Sequence, residues 1–147
     1  MTAETIAIAA DHAGFALKEL LKGRLAQQGF AVLDLGTDGP HSVDYPDFAD
    51  RLADALADHR AKRGVLVCGT GIGISIAANR HRHIRAALCH DTSSARLARQ
   101  HNDANVLALG ARLIGEEAAL DTLDTFLKTG FDGGERHARR VGKLGKQ

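Results

Sequence analysis

The stretch VLVCGTGIGISIAANR, residues 65–80, decides the fold. Val65–Cys68 is a short apolar run rich in valine, the mark of a buried strand. Gly69, Gly71 and Gly73 follow at alternate positions, and Gly71–Asn79 reads as a helix entered through them. A buried strand that turns at once into a helix is the repeating unit of a parallel sheet.

The same alternation runs outward on both sides. Upstream, Thr5–Ala9 reads as a strand and Phe15–Gln28 as a helix, with Leu17, Leu20, Leu21 and Leu25 on one face and Gly29 as its C-cap. Ala31–Leu35 is a second strand, stopped by GTDGPHS, and Pro46 sits where a helix can begin. Phe48, Leu52 and Leu56 line one side of that helix. Downstream, Ile84–Cys89 and Val106–Leu109 read as strands, and Thr92–Gln100 as a helix capped by Asp91 or Thr92. Glu116–Lys128 is a further helix, with Leu120, Leu123 and Leu127 on one face. From about residue 135 the chain is basic, ERHARRVGKLGKQ, and forms a C-terminal helix or tail. One α/β domain over residues 1–147 is expected, with a five-stranded parallel sheet and helices on both faces.

Bulk properties narrow the function. A formal charge of +1 and 4% aromatic residues argue against a nucleic-acid surface, which needs lopsided charge and stacking rings. The opening MTAETIAIAADHAG has no basic segment followed by an apolar core, and no run reaches a membrane-spanning length. Two cysteines make no disulfide framework, so reduced thiols in the cytoplasm are expected.

In open parallel sheets ligands bind beyond the carboxyl ends of the strands. That rule selects Asp11 and His12, Cys68–Gly73, His90 and Asp91, and Gly110–Arg112. The glycine loop fails two familiar phosphate motifs. Ile74 stands where the dinucleotide fingerprint needs its third glycine and where the P-loop needs its second. What remains is a loop of backbone N–H groups before a helix, which suits a phosphate, an oxyanion formed in a reaction, or simply a tight turn. Cys68 tilts the balance toward chemistry. Most free cysteines are small buried hydrophobes, a description that fits Cys89, but a thiol facing a helix start ionises more readily.

The other polar groups each have a plain alternative. Asp11 can be a helix cap and His12 an exposed ring. His101 and Asn102 end the fourth helix, so they belong at the bottom of the sheet, a strand's length from Cys68. A functional His101 must therefore serve another subunit's site. Arg136 and Arg140 share a helix face and suit phosphate, although a solvated basic tail would look the same. His81 and His83 lack further ligands at metal-binding spacing, so no metal is expected.

Taken together, IAADHAGFALK, DYPDFA, VCGTGIGISIAANR, IRAAL, ARQHNDANVLALGARLIG and GGERHARRV resemble the B-type ribose-5-phosphate isomerases, whose superfamily includes the galactose-6-phosphate isomerase subunits. The resemblance runs from Ile6 to about Val141. It implies a Rossmann-like three-layer αβα sandwich, a homodimer or a pair of dimers, a sugar-phosphate substrate and no cofactor. By position, Cys68 resembles the catalytic base. Some relatives use a glutamate in the glycine loop, where this chain has Ile74. Thr70 and His101 resemble the pair that assists ring opening. Gly69, Gly71 and Gly73 resemble the cradle of the enediolate oxygens. Asp11, Asp44, Tyr45, Ser75 and Asn102 resemble sugar-binding groups, and His12, Arg112, Arg136 and Arg140 the phosphate binders. Glu135 looks like an insertion that leaves the 136/140 spacing intact. The implied reaction interconverts ribose 5-phosphate and ribulose 5-phosphate. A hexose 6-phosphate isomerase (allose or galactose 6-phosphate) and a non-catalytic sugar-phosphate or nucleotide-binding module are the alternatives.

Overall fold

A computed structural model of the chain describes residues 2–146. Five strands, β1 (Thr5–Ala10), β2 (Ala31–Asp34), β3 (Arg63–Cys68), β4 (Ala86–Leu88) and β5 (Val106–Gly110), form one parallel sheet. Their order is β2-β1-β3-β5-β4. Helices α1 (Phe15–Gln27), α2 (Tyr45–Ala57), α3 (Ile72–Ala78), α4 (Thr92–Asn102) and α5 (Glu116–Lys128) connect or follow the strands, and α6 (Glu135–Leu144) closes the chain.

The strand side chains alternate between two cores, as a pleated strand covered on both faces requires. Ile6, Ile8, Val65, Val67, Leu107 and Leu109 pack against α1, α4 and α5. Ala7, Ala9, Leu66, Cys68, Val106 and Ala108 pack against α2 and α3. Alanines on this second face let Phe48 and Leu52 of α2 approach the sheet closely. At Gly64 a methyl group would lie 2.8 Å from Leu52.

Element boundaries moved where backbone groups found other partners. β3 starts two residues before Val65, because the Gly64 N–H already donates to the Asn105 carbonyl. β4 is shorter than Ile84–Cys89, because Ile84 is tied into a turn on His81 and the Arg85 N–H goes to the Asn105 side chain. α4 runs on to Asn102 rather than stopping at Gln100, and ends where Asp103 takes φ +46°. Asp91, not Thr92, caps it, accepting from the Ser94 N–H at 2.6 Å. Gly29 ends α1 at φ +86°, with Gly29 N–H donating to the Ala26 carbonyl and Phe30 N–H to that of Leu25. No described helix is long and apolar enough to cross a membrane.

Candidate active site

From β1 the chain crosses outward to β2, then returns over β1 to β3 on the other side. The crevice between the carboxyl ends of β1 and β3 is therefore a topological switch point, the usual ligand seat of an open α/β sheet. Asp11 follows β1 there and Cys68 ends β3 there. The two strand ends are locked by the Asp11 N–H, which donates to the Val67 carbonyl at 3.2 Å. Gly14 permits the approach, since a methyl group on it would lie 2.5 Å from that same carbonyl oxygen. Asp11 is buried and caps the turn by accepting from the Gly14 N–H at 3.0 Å.

The glycine loop curls around the sulfur. Cys68 is only 4% exposed, and its Sγ accepts from the Gly71 N–H at 3.1 Å. Gly71 adopts φ +75°, and a methyl group there would meet both Leu88 and the Leu109 carbonyl carbon. Only glycine suits that conformation and space. The Thr70 Oγ1 accepts from the Ile72 N–H at 3.2 Å, which leaves its hydroxyl proton to donate elsewhere. The N–H groups of Thr70 and Gly73 have no acceptor among the described residues. They lie in and just after the turn between β3 and α3.

Two side chains close on this loop, and others stand near the same edge of the sheet. The Tyr45 ring lies over Gly73, where a methyl group would come 2.5 Å from its Cζ. The Arg112 guanidinium lies 3.1 Å from the position of a Gly69 methyl, and its backbone N–H donates to the Gly69 carbonyl at 2.9 Å. His12 Nδ1 accepts from the Val43 N–H at 3.1 Å, so the neutral ring carries its proton on Nε2. Asp44 precedes α2 beside Tyr45 and makes no capping hydrogen bond. Ser75 is turned inward, its hydroxyl donating to the Ile72 carbonyl at 2.8 Å. His90 Nε2 accepts from the Gly110 N–H at 3.3 Å and so braces the end of β5 beside the loop.

The other four expected site residues lie elsewhere in the chain. α4 starts at the carboxyl end of β4 and runs down the sheet. His101 and Asn102 therefore sit about 16 Å from Cys68 along the strand direction, the rise of a strand as long as β3. His101 stacks face to face on His137 of α6, with ring centroids 4.6 Å apart and planes 6° from parallel. Arg136 and Arg140, both exposed, flank His137 on that helix. The expected site residues of one chain thus fall into two groups, Asp11, His12, Tyr45, Cys68–Gly73 and Arg112 at the carboxyl edge of the sheet, and His101, Asn102, Arg136 and Arg140 at the opposite end.

Cys89 is a plain core residue, as expected. Burial pushes its thiol up, Asp91 adds to the rise, and a hydrogen bond from Ser94 only partly offsets them. His81 is bound to Asp50 at 2.7 Å and His83 to the Ala53 carbonyl at 2.7 Å. No group of three metal-binding side chains occurs among the described residues. Sequence reading missed His137, whose burial follows from the docking of α6 on α4, and Lys18, a charged residue within an otherwise apolar helix face.

Comparison with known proteins converges on one family. The Ribose/Galactose Isomerase family matches residues 6–144. The chain is 46% identical to ribose-5-phosphate isomerase B of Escherichia coli over 92% of its length and 91% of that protein. It is 47% identical to D-erythrulose-4-phosphate isomerase of Pectobacterium atrosepticum, covering 96% and 93% of the two chains. The structure of ribose-5-phosphate isomerase B from Clostridium thermocellum superposes with a TM-score of 0.94, at 52% identity, over 96% of this chain and 95% of that one.

Proposed function

The chain belongs to the ribose/galactose isomerase family, a sugar-phosphate isomerase of the ribose-5-phosphate isomerase B kind, and on that premise we propose that it interconverts ribose 5-phosphate and ribulose 5-phosphate at a site completed by a second copy of itself. The carrying observation is the Cys68 sulfur held against the Gly71 N–H inside a loop of further amides, with Arg112 over Gly69.

The reaction begins with a closed sugar ring. The Thr70 hydroxyl and the second copy's His101 assist its opening, carrying the proton of the C1 hydroxyl to the ring oxygen as the bond between C1 and that oxygen breaks. Cys68, as thiolate, takes the C2 proton of the open aldose. The electron pair moves onto the carbonyl oxygen, giving a cis-enediolate. The same thiol returns its proton to C1, the proton of the C2 hydroxyl passes to O1, and O2 becomes the ketone. Charge on the enediolate oxygens is met by the loop N–H donors, each worth about 3–4 kcal/mol of barrier in comparable sites. Asp11, Asp44, Tyr45, Ser75 and Asn102 orient the sugar, with Ser75 acting from behind through α3. His12 Nε2–H and Arg112 hold the phosphate together with the second copy's Arg136 and Arg140. Near-complete burial of the sulfur keeps water from quenching the carbanion.

Support for the second copy comes from the surface. Ile72 and Ile76 lie on one face of α3, exposed by 49% and 52%, and Leu88 and Leu144 are exposed nearby on β4 and α6. This apolar strip begins at the glycine loop and leads toward the His101 end, where a two-fold related chain can cover it. Two buried free thiols accord with a reducing cytoplasm, where we place the enzyme.

The test is deuterium uptake at C2 of ribose 5-phosphate in heavy water. The unaltered protein is expected to exchange it, and Cys68→Ala to lose about 100-fold or more of turnover while still binding the sugar phosphate by calorimetry. Wild-type turnover in Cys68→Ala would overturn the base assignment. Erythrulose 4-phosphate and allose 6-phosphate, run alongside, fix the preferred carbon count.

A further inference from the structure

A cavity of about 730 Å³ lies at the opposite pole from the glycine loop, beneath the sheet where β1, β3, β4 and β5 begin. Five permanent cations line it, Arg60, Lys62, Arg63, Arg85 and Arg99, against two carboxylates, Glu4 and Asp103. Some of this charge has a structural use. Helix carboxyl ends present unpaired carbonyls here. Arg63 donates to the Leu127 carbonyl at 3.0 Å, and Arg99 to the carbonyls of Thr129 and Ala104. Glu4 is taken by Arg63, and Asp103 is shared by Arg85 and Arg99.

Arg60 and Lys62 have no such partner among the described residues, and both are exposed on the loop between α2 and β3. That loop is fixed. The Arg60 N–H donates to the Ala55 carbonyl at 2.9 Å, and His59 takes φ +60° at the helix end. The cavity therefore combines arginines already immobilised by backbone carbonyls with free cations on a set loop, and its acids are already neutralised. Holding the donors in place beforehand lowers the entropic cost of binding an anion. Its size falls within the usual range for small ligands. Among the described residues no aromatic ring other than His59 lines it and its only apolar side chain is that of Ala61, so these walls offer no platform for a nucleobase.

We infer that this cavity, which adjoins His101 and Asn102 at the lower end of α4 but shares no lining residue with the proposed isomerase site, is a second anion site for a compact ligand carrying two phosphate groups. Inorganic pyrophosphate and a sugar bisphosphate share that chemistry. Arg60 and Lys62 supply its free charge, and Arg85 and Arg99 supply oriented N–H donors on the opposite wall.

Calorimetric titration tests this, with Arg112→Ala/Arg140→Ala chains used to remove anion binding at the crevice. Pyrophosphate, or hexose 1,6-bisphosphate in a parallel arm, is expected to bind these chains, and to bind at least tenfold more weakly once Arg60→Ala/Lys62→Ala is added. The arm that binds more tightly identifies the source of the phosphates. Arg60→Ala/Lys62→Ala in the otherwise unaltered protein should keep isomerase kcat/KM within twofold. Absence of binding in both arms, or affinity unmoved by Arg60→Ala/Lys62→Ala, would overturn the inference. Neither result depends on the reaction proposed above, because binding is read directly.

Discussion

At the scale of single residues, the loop works by what its glycines lack. Gly73 has an ordinary conformation, but the Tyr45 ring occupies the space a side chain would need, 2.5 Å from a methyl group. Tyr45 is 40% exposed, so the ring can swing away rather than strain the core. Gly73→Ala should therefore cost little stability, by urea unfolding, and displace both ring and loop amides. A shift near 1 Å at a reacting centre costs about 100-fold in rate, and a kcat loss of that order is expected. Unchanged kcat in a folded Gly73→Ala protein would show that the loop amides and Tyr45 do not set the reacting geometry. Gly71 differs, since its φ of +75° and its contact with the Leu109 carbonyl make any side chain strain the backbone itself. The glycines were legible as a loop in the sequence. Their separate reasons were not, because those depend on Tyr45, Leu88 and Arg112, which are distant in the chain.

At the scale of elements, α1 and β2 are joined by a charged cluster that periodicity conceals. Lys18 lies in the leucine-rich face of α1, fully buried, with Nζ 2.9 and 2.8 Å from the two Asp34 oxygens. Asp34 also accepts from Lys22 and from the Gly36 N–H. Gly36 in turn accepts from the Ala10 N–H, and Thr37 donates to the Ala10 carbonyl, so the cluster fixes the loop beside Asp11. Burial alone would raise the Asp34 carboxyl. Hydrogen bonds from Lys18 and Lys22 outweigh it and hold the group below its ordinary value. A carboxyl depressed in the folded state contributes stability above its unfolded pKa of about 3.9, and that contribution is lost as pH falls through the folded value. Urea midpoints should therefore drop below about pH 4, and Asp34→Asn should lessen that drop. An identical acid profile in Asp34→Asn would remove Asp34 from the account. Nothing in the sequence marks Lys18 as buried, because helical spacing marks a face but not the carboxylate that makes a buried ammonium tolerable.

At the scale of the whole molecule, the proposed reaction draws on groups at opposite ends of the sheet, Cys68 at the carboxyl end of β3 and His101 near the far end of α4. The parallel strands force this separation, since a helix leaving the carboxyl end of one strand must return to the amino end of the sheet before the next strand begins. The proposed two-fold arrangement predicts complementation. Inactive Cys68→Ala and His101→Ala chains, mixed under conditions that allow exchange, should regain about a quarter of wild-type activity if hybrid dimers form statistically with one intact site each. No recovery, with hybrids demonstrated by native mass spectrometry, would mean that each site lies within one chain.

The sequence by itself determined the order of strands and helices, the α/β class with its five-stranded parallel sheet, and which residues follow the carboxyl ends of the strands. Those features are local: period-two and period-3.6 patterns, glycine turns, and the rule that strand ends carry ligands. It also placed His101 away from Cys68, because that conclusion needs only connectivity. Tertiary structure alone decided the strand order with β5 inside β4, the stacking of His101 on a buried His137, the Lys18–Asp34 pair, and the cationic cavity beneath the sheet. Each of these joins residues far apart in the chain through packing and charge pairing, and no spacing along the chain encodes such contacts.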